Sequence, residues 1–183
     1  MNIKTIIKTI IWSLAAFILA FGLSFSLNNG WFKPETKDTP KNPQSLLLSN
    51  IEAYDLALGE ARDWQKDAAL AQMSALTNTT DEYGHSDNWQ ALFVSEKKSG
   101  RGYSVIIENR KISKTEEIPF VGTGGALPEN IITSEEAIAY VRSLAGYQSQ
   151  TVLGVEMVYG PNGEEWYWGV KTNKGTVTVK AKR

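Results

Sequence analysis

The chain has 183 residues, enough for one ordinary domain or two small ones. Its 42% hydrophobic and 21% charged residues exclude wholesale disorder. The 19 basic and 20 acidic side chains form no long single-sign run, which excludes the basic stripe that a nucleic-acid binder uses to neutralise phosphates. No cysteine is present, so disulfides, thiol catalysis, thiolate metal sites and lipid attachment through a lipoprotein cysteine are excluded as well.

Residues 1–8 are a short basic segment carrying Lys4 and Lys8. Between Lys8 and Lys33 lie 24 residues without a charge. Their apolar part approaches the ~20 residues a helix needs to cross a bilayer, and Trp12, Trp31 and Phe32 suit its two interfaces. We read residues 9–32 as a transmembrane anchor with the remainder of the chain outside the cytoplasm; a cleaved signal peptide is the alternative. Residues 33–48 hold three of the six prolines and read as a semi-rigid stalk.

Ser49 and Glu52 have capping-box spacing, and Ala53, Leu56, Ala57, Ala61 and Trp64 then fall on one helical face. Thr133 and Glu136 repeat the box, followed by Ile138, Val141, Leu144 and Ala145. Each helix precedes strand-like runs. The first half holds 67–76, "DNWQALFVS" and "YSVIIENRKI", with Gly100 and Gly102 at a turn. The second holds "TVLGVEMVYG", "EEWYWGVK" and "TVTVKA", joined at Pro161-Asn162-Gly163 and Asn173-Lys174-Gly175. In the last hairpin Trp166, Trp168, Val170, Val177, Val179 and Ala181 share one strand face, so the tryptophans are expected in a core rather than on a ligand platform.

The expected fold class is therefore α+β, with two helix-plus-antiparallel-sheet repeats at 49–117 and 131–183, a Gly/Pro joint at 118–130, and one transmembrane helix in front. The pattern carried by Ala57, Ala61, Trp64, Asp67, Ala68, Leu70, Trp89 and Phe93, and again by Ala137, Trp166, Val170, Gly175, Val177 and Val179, resembles the PepSY module, a cystatin-like unit. That resemblance implies no catalytic residues and no cofactor; it implies a membrane-bound or secreted role in protein contacts, such as restraint of a cell-envelope peptidase.

Chemistry is sparse elsewhere. The sole histidine, His85, sits in an acidic loop with Asp81, Glu82 and Asp87, and a hydrolase or metal-dependent enzyme built on that loop is the competing reading. No G-x-S-x-G elbow is present, and "VGTGGA" lacks the Gly-Lys-Ser/Thr of a phosphate loop. A structural envelope protein is a further alternative. Asn78-Thr79-Thr80 is a glycosylation sequon. Leu92, Val94 and Ile106 point away from the core set of their hairpin, so either the joint or the second half covers them or they form a partner-docking patch.

Overall fold

The computed structural model describes residues 47–76, 80–160 and 165–182. Helix α1 (Asn50–Trp64) leads into β1 (Ala69–Ala75), β2 (Asn88–Val94), a short 3-10 turn (Glu96–Lys98), β3 (Arg101–Glu108) and β4 (Lys111–Pro119). Helix α2 (Ser134–Ser143) then precedes β5 (Val152–Tyr159), β6 (Trp166–Thr172) and β7 (Gly175–Lys180).

Both capping boxes form. The Glu52 amide donates to Ser49 Oγ at 3.3 Å while the Ser49 amide donates to the Glu52 carboxylate at 2.9 Å. Thr133 and Glu136 exchange the same pair of bonds at 3.2 and 2.8 Å. These contacts satisfy amides that a helix start otherwise leaves without partners. The segment 67–76 has the alanines of a helix former, yet Ala69–Ala75 is a strand, because tertiary pairing on both sides outweighs local propensity.

The expected fold class does not hold. The seven strands form one antiparallel sheet in the order β4-β3-β2-β1-β5-β6-β7, not two separate helix-plus-sheet repeats. The joining ladder is β1 with β5, in which Met73 faces Met157. In two separate repeats each of these strands would be an edge with its methionine beside open backbone; paired, they are central and both methionines are fully buried. The joint also differs from expectation, since Ile118 and Pro119 complete β4 and Gly125 bridges to Leu70 of β1. No helix among the described residues is long and apolar enough to cross a membrane. The span expected over 9–32 and the stalk up to residue 46 lie outside the described residues, as do Pro161-Asn162-Gly163 and the first two residues of the sequon.

One core lies between the sheet and both helices. A row of directly paired residues crosses it, Val179–Trp168–Met157–Met73–Ala91–Val105, and every member is buried. Ala53, Ala57 and Ala61 of α1 are fully buried against this side, their small side chains letting the helix sit close; Ala137, Ile138 and Val141 do the same on α2. Three indoles end on backbone carbonyls: Trp89 Nε1 on Leu48 at 3.1 Å, Trp166 Nε1 on Ala126 at 3.2 Å, and Trp168 Nε1 on Ile132 at 3.0 Å. The tryptophans are thus core residues whose polar atoms also tie down the segments crossing the sheet.

The helix starts meet at a polar seam. Asn50 Oδ1 accepts from the Ser134 amide at 3.1 Å and from the Ser134 hydroxyl at 3.3 Å, with both residues buried. The 81–86 loop closes over it: Gly84 has φ +82°, and a Cβ there would lie 2.9 Å from Ser134 Cβ and from Ile138 Cδ1, so only glycine fits.

Candidate interaction face

With both helices on one side, no helix among the described residues packs on the other face of the sheet. Strand alternation dictates what that face presents. Two rows run across all seven strands, Lys180–Tyr167–Val158–Gln72–Leu92–Ser104–Glu116 and Thr178–Gly169–Glu156–Ser74–Gln90–Ile106–Lys114. Hydrogen bonds between neighbouring rows confirm the shared face: Gln72 Nε2 donates to Glu156 Oε1 at 2.5 Å, and Gln90 Nε2 to Ser104 Oγ at 2.9 Å.

Glu156 stands at the middle of this face, on the central ladder between β1 and β5. Burial pushes its carboxyl pKa up. Its neighbours across the strands are Ser74 and Gly169, and none of the ion pairs among the described residues includes it. The charges toward the rims are already neutralised in pairs, Lys114 with Glu116 at 2.6 Å and Lys180 with Glu165 at 2.5 Å. The sequence carried part of this signal, since alternation along 155–157 sets Glu156 opposite the buried Val155 and Met157. Its central position depends on the β1–β5 pairing, which alternation within one segment does not reveal.

The three apolar residues expected to need a cover do not form one patch. Leu92 is 9% exposed, and Gly102 is wedged between it and Phe120: a Cβ at Gly102 would lie 3.0 Å from Leu92 Cδ1 and 2.9 Å from Phe120 Cβ. Val94 is half-buried, and its Cγ2 would be 2.7 Å from a Cβ on Gly124. The joint therefore folds over this corner. Ile106, also half-buried, lies a row away with Gln90 and Lys114 directly beside it.

The His85 loop is organised by Asp81. One carboxylate oxygen accepts from the Tyr83 and His85 amides at 2.9 and 2.8 Å, and the other lies 3.3 Å from His85 Nδ1. The neighbouring Ser86 is buried and donates its hydroxyl to the Asn88 carbonyl at 2.9 Å, so it is not aimed at the imidazole. Among the described residues no group of three or more His, Asp or Glu side chains is placed to hold a metal ion.

A second cluster, missed in the sequence, lies on the helix side at the β3–β4 rim. Trp64 stacks on Tyr103 with ring centroids 5.0 Å apart and 7° between planes, and Lys98 Nζ sits 5.3 Å from the Trp64 ring centroid. Glu117 accepts from Trp64 Nε1 at 2.7 Å, Lys98 Nζ at 2.6 Å and Arg101 Nε at 3.1 Å. The Lys98 bond, then the indole bond, hold its carboxyl down to about 2. Stacking, the indole hydrogen bond and the ion pairs together clamp the end of α1 to the sheet. Sequence spacing alone could not bring together residues separated by 53 positions.

The fold is thus an antiparallel sheet with two helices on one side and a mostly polar face on the other. No known family profile matches the chain, and no curated protein does. Among solved structures it is similar to a crystal structure of "a putative lipoprotein" from Clostridium difficile 630, with a TM-score of 0.51 and 12% identity over 71% of this chain and 86% of that one. At that identity the likeness is one of fold.

Proposed function

We propose that this protein is a non-catalytic interaction domain of the cell envelope, brought to a membrane by its apolar N-terminal segment, and that the helix-free face of its sheet receives a protein partner. The observation that supports this reading is the asymmetry of the sheet: helices fill one side, while the other places a half-buried Glu156, without an ionic partner among the described residues, and a half-buried Ile106 between Gln90 and Lys114. The likeness to PepSY modules suggests the partner class, a cell-envelope peptidase under restraint. The structural neighbour is described as "a putative lipoprotein", which fits an envelope setting. This chain has no cysteine, so membrane attachment of its own would run through residues 9–32 and leave the domain outside the cytoplasm.

Two measurements test the reading. Protease added to intact spheroplasts should digest residues beyond Lys33; protection until lysis would place the domain in the cytoplasm. Photo-crosslinkers at Gln90 and Ile106 should then capture one defined protein that crosslinkers at Asp55, on α1, do not. Equal capture from both surfaces would remove the open face as the contact site.

A further inference from the structure

The two edges of the sheet are not equivalent. On β4 the edge carries Lys111, Lys114, Glu116 and Glu117, an irregularity in the register beside Ile107, and a terminal Pro119. Charges, irregularities and proline are the devices that stop an edge strand from pairing with another chain. On β7 the run Gly175-Thr176-Val177-Thr178-Val179 has none of them, and the first charge is Lys180.

Its hydrogen-bonding pattern follows from the turn. The two-residue turn Asn173-Lys174 makes Thr172 and Gly175 a hydrogen-bonded pair, so alternate residues, Val177 and Val179, also point their backbone groups at β6. Thr176, Thr178 and Lys180 therefore point N–H and C=O outward, and among the described residues none of these groups has a partner. Beyond them the strand stops, because Ile132 N–H binds the Ala181 carbonyl and Ile131 bridges to Lys182.

We propose that the β7 edge pairs with the β7 edge of a second copy of this chain, antiparallel and centred on Thr178. This register uses every open group, with Thr178 opposite Thr178 of the second copy and Thr176 opposite its Lys180. It sets Val177 beside Val179 of the other copy on the core side, extending the buried row, and within Gly175–Lys180 it brings no like charges face to face. An offset centred on Val177 would leave Lys180 outside the ladder. The two-fold axis runs perpendicular to the sheet, so both helix-free faces lie on the same side of a continuous sheet. The proposal stands independently of what those faces bind.

The absence of cysteine makes the test direct. In the full-length chain, Thr178→Cys places two thiols on hydrogen-bonded partners whose Cα atoms are about 5.5 Å apart, within disulfide reach. Mild oxidation should give a covalent dimer on non-reducing gels. Thr176→Cys should not, because its own copy lies about 13 Å along the paired strand, and Thr115→Cys on β4 should not either. Mixed Thr176→Cys and Lys180→Cys chains should crosslink where each alone does not. Thr178→Lys opposes two ammonium groups at the axis and should abolish the dimer in sedimentation while the circular dichroism spectrum is unchanged. Equal crosslinking at Thr178, Thr176 and Thr115, or none at Thr178 in a folded protein, would overturn the proposal.

Discussion

Replacing Trp168 by alanine tests the single-core architecture most severely. The indole is fully buried, pairs directly with Met157 and Val179, and donates to the Ile132 carbonyl at 3.0 Å. Truncating a buried tryptophan to alanine costs about 3–5 kcal/mol through lost transfer energy and the cavity left behind. The Ile132 carbonyl loses its donor as well, which adds about 1 kcal/mol where water does not replace it. A total of about 4–6 kcal/mol is near half the stability of a typical domain. With a urea m-value of about 2 kcal/mol per molar, the unfolding midpoint should fall by about 2–3 M. Trp168→Phe separates the parts: most of the ring volume stays and the donor goes, so about 1–3 kcal/mol should be lost. Equilibrium urea unfolding followed by circular dichroism measures both. Because Met73, Met157 and Trp168 form one row, the loss should appear as a single shifted transition. Two transitions, with only one shifted, would refute the shared core, and an unchanged midpoint would put the indole on the surface.

Other expectations are more local. Asn50→Ala should cost about 1–3 kcal/mol by orphaning the buried Ser134 amide, a loss measurable by the same denaturation. Glu117 is held at about 2, below its ordinary 4.5, so its ionised form stabilises the fold above that ordinary value. The stability advantage of wild type over Glu117→Gln should therefore be full at neutral pH and fade as pH falls from 4.5 toward 2. For Glu156 the sign is opposite: a raised pKa means the ionised form costs stability, fully so above the folded pKa and not at all below the ordinary one. Glu156→Gln should be the more stable protein at pH 7, with the difference shrinking as the solution is acidified through the carboxylate range; an advantage that grows on acidification would refute the assignment.

Local chemistry was legible in the sequence, and long-range pairing was not. Ser49 with Glu52 and Thr133 with Glu136 announce helix starts because the bonds close within four residues. Alternation around Trp168 and Phe93 identified buried faces for the same reason. Nothing local says that Met73 meets Met157, 84 positions on. The same gap hid Glu117, whose partners Trp64, Lys98 and Arg101 come from α1, the 3-10 turn and β3. The hairpin at Asn109-Arg110 shows a local rule being overridden: both residues have positive φ, at 52° and 64°, although arginine disfavours it. The Arg110 guanidinium binds the Leu47 carbonyl and the Glu52 carboxylate, each at 3.0 Å, and those bonds offset the backbone cost.

Three departures from ordinary protective patterning fall on the helix-free face or at the β7 edge. Apolar residues on the helix-free face are tolerable where the chain itself covers them, and Phe120 and Gly124 do so for Leu92 and Val94. Ile106 instead lies directly between the polar Gln90 and Lys114. Glu156 is kept as an acid in a position where its pKa is raised, and glutamine would serve the Gln72 hydrogen bond equally well. On the edges, β4 carries charges and a proline while β7 carries threonine and valine. A sequence shaped for stability alone would have no reason to leave these three features together, since each costs stability or solubility. The core row from Val179 to Val105, by contrast, is buried along its whole length, and both helix starts carry complete capping boxes. Such departures are the first places to test for function, and the central open face and the β7 edge are better candidates than the His85 loop, where Asp81 already accepts from the His85 amide and lies 3.3 Å from its Nδ1.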